Sequence, residues 1–322
     1  MEQGGFLKLL MLKIIFFGTP EYTLCVLKEL TKSFKAVAVV TQKPKPVGRK
    51  QTVVKSPVEQ FVSGKIPVFY DFKNLPKADL GVLASFGKII PEKTLKHFPL
   101  GIINIHPSLL PKLRGPSPVQ STIITAEKPG VTIIKLDKKM DHGPILAQYQ
   151  FSMGKKIPTT QTLRELLFEL SSQKITKVIK NYKKGKIKLK QQNHESATYC
   201  TLIKKDHAFV PWEKIKSAIK PNQSPVDNAF YPKAWSIPFI KNYQTTFSPL
   251  NIHRFICAMY PWPVAWTKVK IKKGMPAKRL KIIKSSIQKT DNNQGVKLIL
   301  NTVQLEGKKP VSQISSLLEK ID

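Results

Sequence analysis

Acidic residues are scarce in this chain of 322 residues: 20 Asp and Glu stand against 54 Lys and Arg, a formal net charge of +34. An enzyme acting only on small neutral substrates needs no such excess. A polyanionic partner such as nucleic acid is the economical explanation, and a proteome-wide preference for lysine is the alternative. Cysteine is scarce as well. Cys25, Cys200 and Cys257 lie far apart with no C-x-x-C pair, which excludes a disulfide scaffold and a thiolate zinc site and fits a reducing, cytoplasmic setting. The histidines (His97, His106, His142, His194, His207, His253) form no His-x-x-x-His pair, so no metal is expected. No apolar run approaches the roughly 18 residues of a membrane span, and no membrane association is expected. Glu2 stands where a signal peptide wants basic residues, Lys8 and Lys13 interrupt the apolar N-terminus, and no small-residue cleavage site follows. Residues 1–10 are read as a dispensable leader, with Met11 as a candidate start. Internal repeats are absent.

What is present is a hydrophobic fraction of 41%, enough for a real core, in a length that suits about two domains of roughly 150 residues. The first half alternates short apolar runs with helical spacing. Lys13–Phe17 runs into Gly18-Thr19-Pro20, and Leu24, Leu27 and Leu30 follow at helical intervals. Ala36–Val40, Leu80–Ala84 and Ile102–Ile105 are further apolar runs without alternation, as expected of strands covered on both faces. A polar, basic loop is expected from Thr41 to Lys55, and a helix starting at Ser56-Pro57. This alternation predicts a doubly wound, mostly parallel sheet, whose ligands bind where strands end at their carboxyl edge. Val131–Leu136 and Ile145–Phe151 predict two later strands, and Thr160–Tyr182 a long amphipathic helix. The acid-free lysine run from Lys174 to Lys190 reads as a solvated helix end continuing as a linker. Beyond about residue 206, short alternating runs such as Trp266–Ile271 and Val296–Leu300, separated by Gly, Pro and Asn, predict a small β-rich domain, a barrel.

The chemistry concentrates between Gly101 and Leu146. Period-two spacing places Asn104 and His106 on one side of an extended chain at the end of a strand. An amide N–H and an imidazole aimed at one point suit acyl transfer, which needs donors where negative charge develops and a group that handles a proton. Asp137 and Asp141 flank a turn before Gly143-Pro144, and either carboxylate could fold back onto His106. From the residues alone, Asn-x-His at a strand end is also compatible with a purely structural role.

The whole set of motifs resembles the methionyl-tRNA formyltransferase family, within the tetrahydrofolate-dependent formyltransferases. The matching pieces stand in the family's order: Ile14–Pro20, Thr41-Gln42 with Gly48-Arg49-Lys50, Ser56-Pro57-Val58, Ala84–Pro91, Ile103–Gly115, Pro118-Val119-Gln120, Gly130–Ile133 and Met140–Gly143. The likeness covers about residues 11–205 and returns at Tyr260-Pro261-Trp262-Pro263 and Gln304–Lys309. It implies a Rossmann-like α/β catalytic domain over 11–190, a linker over 191–205 and an OB-like β-barrel tRNA-binding domain over 206–322. It implies Asn104, His106 and Asp141 as the catalytic trio, 10-formyltetrahydrofolate as formyl donor without a metal, and the α-amine of initiator Met-tRNA as acceptor. The same resemblance places the folate against Ser108, Leu109, Leu110 and Pro111 and against Phe86, Lys88, Ile89 and Ile90, with ordinary core packing as the alternative for Phe86. It makes Lys45, Arg49 and Lys50 candidates for tRNA phosphate contacts; a solvated lysine loop is the alternative. A second basic stretch runs from Lys268 to Lys284 in the expected barrel. A monomer is expected.

This chain departs from the family pattern where Lys139 replaces the usual glycine and Pro129 the usual threonine, which puts the turn before Asp141 in question. Between about residues 206 and 251 lies sequence that does not align, rich in aromatics (Trp212, Phe230, Tyr231, Trp235, Phe239), and read as an elaborated linker or insertion. The competing function is a formyltransferase of the same superfamily acting on a small amine, a glycinamide nucleotide or an amino sugar, since these share the residue 104–143 constellation.

Overall fold

The computed structural model describes residues 11–48, 50–154, 156–220, 234–271, 276–290, 295–312, 314 and 321. They divide into two compact units. One holds the chain up to Pro116 with Lys128–Ser152 and Arg164–Thr198; the other holds Ser117–Glu127, Met153–Leu163 and Tyr199–Asp322.

In the first unit, strands β1 (Lys13–Gly18), β2 (Lys35–Val40), β3 (Lys45–Val47), β4 (Thr52–Val54), β5 (Val68–Phe69), β6 (Leu80–Ala84), β7 (Ile102–His106), β8 (Gly130–Lys135) and β9 (Ile145–Gln150) follow in chain order. Seven of them form one sheet in the order β5-β2-β1-β6-β7-β8-β9. β5, β2, β1, β6 and β7 are parallel, and β8 and β9 add on antiparallel. Ile14, Ile15, Phe16 and Phe17 are all fully buried, which is why β1 reads as continuous apolar sequence rather than alternation. Around Phe17, the rings of Phe72, Phe86 and Phe98 pack at 5.8–6.4 Å.

Helix α1 (Leu24–Ser33) buries Val26, Leu27 and Leu30. α2 (Pro57–Val62) starts as its sequence predicts: the Ser56 hydroxyl accepts from the Glu59 amide and Pro57 occupies the first turn. α3 (Glu92–Leu95) is a single turn, and α4 (Pro118–Thr125) falls in the second unit. α5 (Thr160–Lys183) is the long helix expected over 160–182, and it buries Leu163, Leu167, Ile175, Val178 and Ile179.

Three readings need correction. The basic loop expected over Thr41–Lys55 contains the β3–β4 hairpin, with Pro46 opposite Val53; β-branched Val47, Val53 and Val54 favour extended chain even though all are exposed. The lysine run does not leave as a linker: Lys190 turns back and bridges to Ile145 at the start of β9. The aromatic segment after Asp206 is core rather than an appendage. α6 (Trp212–Ile219) lies in it, Trp212, Trp235 and Phe239 are buried, and Trp235 stacks on Phe247 at 4.7 Å. Phe230 and Tyr231 lie outside the described residues.

The second unit continues with β10 (Ala234–Ser236) and β11 (Gln244–Thr246), a short hairpin, then α7 (Pro249–Met259). β12 (Ala265–Val269), β13 (Lys278–Lys289) and β14 (Val296–Leu305) form an antiparallel sheet. Bridges from Phe209 to Trp266 and from Val311 to Val303 extend it at both edges, an arrangement consistent with a small barrel. The basic stretch begins on β12 with Lys268 and ends on β13, where Leu280 and Ile282 are buried while Lys281 and Lys284 are exposed.

One buried hydroxyl ties β8 to the segment after β7. Thr132 Oγ1 donates to the Ser108 carbonyl (2.7 Å) and accepts from the Leu110 amide (3.0 Å) and Gln148 Nε2 (3.1 Å). Thr132→Val leaves the Ser108 carbonyl and the Leu110 amide without this partner in the interior, and we expect a loss of about 1–3 kcal/mol in urea unfolding. A midpoint equal to wild type would show that this hydroxyl does not hold the segment.

Candidate active site

Strands β1, β6 and β7 are parallel and adjacent, so the segments that follow them leave the sheet at one edge. Chain order reverses between β1 and β6, the kind of switch point where open α/β sheets bind ligands. On β7, one strand further along, Asn104 and His106 share a face by the period of two, and both are buried, at 7% and 4% exposure.

The connection between β8 and β9 supplies the third group. It closes on itself where the Lys135 amide donates to the Pro144 carbonyl at 2.9 Å. A Cβ at Gly143 would stand 1.8 Å from the Lys135 carbonyl oxygen, so only glycine lets the chain return so tightly. The closure carries Asp141 into left-handed backbone, φ +49°, a conformation that aspartate tolerates better than most residues. Its Oδ2 accepts from the Gly115 amide at 2.8 Å, and its Oδ1 accepts from Asn104 Nδ2 at 3.3 Å. The same Oδ1 lies 3.6 Å from His106 Nδ1. Of the two carboxylates open in the sequence, Asp141 is the one at His106. Asp137 instead accepts from His142 Nδ1 at 2.6 Å and from the Lys139 amide at 2.9 Å.

The ring of His106 is fixed from its other side. Its Nε2 is 3.0 Å from the Leu113 carbonyl, and a carbonyl only accepts, so Nε2 carries a hydrogen. Nδ1 is then the nitrogen that can take or give a proton, and it faces Asp141. The 3.6 Å separation is too long for a direct hydrogen bond, so the ring and the carboxylate do not saturate each other. An amide donor, an imidazole nitrogen free to exchange a proton and a carboxylate thus meet at one point.

A further set of residues surrounds Asp141 that no sequence spacing announced. Gln192 Nε2 donates to the backbone carbonyls of Asp141 (2.9 Å) and Gly143 (2.8 Å), and its Oε1 accepts from Arg114 Nε (3.2 Å) and Nη2 (2.7 Å). Arg114 Nη2 also reaches His194 Nδ1 at 2.8 Å. The His194 ring stacks on His142 with centroids 3.9 Å apart and planes 6° from parallel. Desolvation first, then the charges of His142, Arg114 and Lys139, hold the His194 pKa below the ordinary 6.5. Arg114 was visible as part of a motif, without a role; Gln192 and His194 carried no local signal.

The residues expected to meet a folate divide by environment. Phe86 is 1% exposed, packed edge-on against Phe17 and Phe72, which is the core alternative for its side chain; its carbonyl accepts from Gln42 Nε2. Lys88 Nζ donates to the Tyr70 carbonyl at 3.0 Å, Ile89 is 81% exposed and Ile90 packs at the margin of the core. In the other segment, Ser108 and Leu110 are buried and Leu109 and Pro111 half-buried. Its backbone is largely engaged: the carbonyls of Ser108 and Leu110 accept from Thr132 and Gln148, and that of Pro111 from the Thr198 amide. Among the tRNA candidates, Lys45 opens β3 with Nζ 2.5 Å from Gln42 Oε1. Lys50 is exposed at the hairpin turn, and Arg49 lies outside the described residues. Among the described residues there is no group of three or more His, Cys, Asp or Glu that could hold a metal, and no helix long and apolar enough to cross a membrane.

Comparison with known proteins gives a family match to "Formyl transferase" over residues 12–179. The chain is 38% identical over 222 residues to the methionyl-tRNA formyltransferase of Thermotoga maritima, covering 65% of this chain and 71% of that protein. It is 30% identical over 330 residues to the protein of the same name in Bacillus cereus, covering 94% of each. Among solved structures, the methionyl-tRNA formyltransferase of Clostridium thermocellum superposes with a TM-score of 0.52 at 15% identity, over 92% of this chain and 99% of that one, a likeness of fold.

The tight return at residue 143 is open to a direct check. We expect Gly143→Ala to lose about 1–3 kcal/mol in denaturant unfolding, because the added methyl overpacks against the Lys135 carbonyl. An unchanged unfolding midpoint would show that the return has room to spare.

Proposed function

Because the chain belongs to the formyl transferase family, we propose that it moves the formyl group of 10-formyltetrahydrofolate onto the α-amine of methionyl-tRNA, the activity for which its relatives are named. The observation that carries the mechanism is the convergence of buried Asn104 and His106 with half-buried Asp141 on one point.

In this reading the neutral amine attacks the formyl carbon, and the carbonyl electron pair moves onto oxygen. Asn104 Nδ2, which has a second N–H beyond the one given to Asp141, and a protonated His106 stabilise that oxyanion. Collapse re-forms the carbonyl and breaks the bond from carbon to N10. The amine loses one proton, and N10 of tetrahydrofolate gains one. Asp141 Oδ1 lies between the Asn104 amide and His106 Nδ1 and is the base within reach to carry it. The folate rests along Lys88, Ile89 and Ile90 and along Leu109 and Pro111 at the outer side of the Ser108–Pro111 segment. Phe86 supports that surface from the core, and the internal bonds of Ser108 and Leu110 hold it rigid.

The tRNA is held chiefly through phosphates, by Lys45, Arg49 and Lys50 of the hairpin segment and by the outer face of β12 and β13. On that face Lys268 pairs directly opposite Arg279. Like charges directly opposite destabilise a sheet, and a polyanion relieves them. All catalytic groups come from one chain, so a monomer suffices, and the setting is cytoplasmic with initiator Met-tRNA as acceptor.

Formyl donor incubated with Met-tRNA, a glycinamide nucleotide or an amino sugar tests the reading: product on a small amine but not on tRNA would overturn it. We expect His106→Ala to lower kcat about 100- to 10,000-fold while tRNA affinity stays near wild type; joint loss of both in a filter-binding and turnover comparison would mark His106 as structural. If as few as three phosphates are neutralised, tRNA affinity falls about 40-fold between roughly 50 and 200 mM salt. A Michaelis constant indifferent to salt would remove the phosphate contacts.

A further inference from the structure

We propose that Arg114 and Gln192 are positioning residues for formyl transfer, clamping the turn that carries Asp141 from behind, and that His194 holds this clamp closed only while its ring is neutral. The inference rests on the formyl-transfer reading of the site and adds to it the part that fixes the carboxylate.

The clamp follows from donor and acceptor chemistry. A guanidinium only donates, so the Gln192 oxygen must face Arg114 and the amide nitrogen must face away from it. That nitrogen meets the two carbonyls of Asp141 and Gly143, on either side of the peptide pair that ends the turn. Asp141 is thereby held by its backbone from one side while Gly115 and Asn104 take its carboxylate from the other. Left-handed backbone at a residue other than glycine persists only where the surroundings over-determine it, and these bonds do so. Arg114 itself is 2% exposed, and a guanidinium so buried is retained only where its hydrogen bonds are met. Neither residue touches the point where the amide, the imidazole and the carboxylate converge, so their effect on the reaction passes through Asp141.

His194 closes the outer end. Its Nδ1 accepts from Arg114 Nη2, which requires an unprotonated nitrogen there. The groups facing the ring are Arg114 from the segment after β7 and His142, Lys139 and Asp137 from the β8–β9 connection. Of these only Asp137 favours the charged ring, and it is already bonded to His142. Desolvation and the other groups keep the pKa below 6.5, so the bond holds at neutral pH and is lost as acid protonates Nδ1. An N–H would then confront an N–H, and Arg114 would lose its outer anchor.

The discriminating variant is Gln192→Glu. It keeps both bonds from Arg114 but turns an acceptor toward the carbonyls of Asp141 and Gly143. We expect kcat to fall about 100-fold, as for a reacting group misplaced by about an ångström, with KM for the folate and for Met-tRNA unchanged. Gln192→Ala, which removes the donor to the turn together with the acceptor for Arg114, should show the same split between kcat and KM. For the exposed His194, His194→Asn keeps an acceptor and removes the titration. Its activity at about pH 5.5 relative to about pH 7.5 should exceed the wild-type ratio, because the ordinary histidine range lies between them. Wild-type kcat in the Gln192 variants, beside an active wild type, would overturn the clamp and leave the function standing. A pH profile of His194→Asn that matches wild type would overturn the part given to His194. A wild type that formylates no Met-tRNA would overturn the functional reading instead.

Discussion

The candidate site depends on one short return of the chain, where the connection after β8 doubles back and sets the Asp141 carboxylate against the face of β7. Asn104 and His106 sit on a strand buried on both faces, and their positions follow from the pleat. The carboxylate has no such support. It reaches them because Gly143 passes the Lys135 carbonyl at a distance no side chain permits, because Asp141 accepts a left-handed backbone, and because Gly115 offers an amide on the far side. Each is a small local condition, and together they fix three groups to a single point without a metal ligand set among them.

The consequence is a site made of groups whose partners are deliberately incomplete. His106 is anchored by Nε2 and left open at Nδ1, and Asn104 spends one of its two N–H groups on Asp141. In the proposed reaction, the 3.6 Å gap between ring and carboxylate leaves room for a proton to pass from the reacting amine. The surrounding segments are satisfied instead. Ser108 and Leu110 are bonded inward through Thr132 and Gln148, and rigidity in that wall keeps the open valences aimed. Outside the site, basic side chains mark the β3–β4 hairpin and the outer face of β12 and β13, where Lys268 stands directly opposite Arg279.

Much of this was legible beforehand because it obeys local periodicity. The apolar runs of β1, β2, β6 and β7 and the long helix ending at Lys183 emerge nearly as their spacing predicts, and Asn104 and His106 share a face for the same reason. The hairpin at Lys45–Val54 reads as loop in the sequence because its exposed valines face no core, so burial gives no signal. The start of β13 reads as part of a basic stretch because Lys278, Arg279, Lys281 and Lys284 surround the buried Leu280 and Ile282. The aromatics at 212, 235 and 239 looked like an insertion since their core partners, such as Phe247 and Phe255, come later in the chain.

The sequence by itself determined the class of fold, the strand that bears the amide and the imidazole, and the cationic character of the surface, all of which depend on neighbours within a few residues or on composition. Only the tertiary structure decided which of Asp137 and Asp141 meets the histidine, which ring nitrogen is left to work, and that Gln192 and Arg114 stand behind the turn. The ring nitrogen is decided by a contact across a turn of 7 residues; the other two outcomes depend on contacts between segments 26 to 78 residues apart, and neither a turn of that kind nor separations of that size leave a periodic trace along the chain. Folding brings them together through the closure of a tight turn and the one-way chemistry of donors and acceptors.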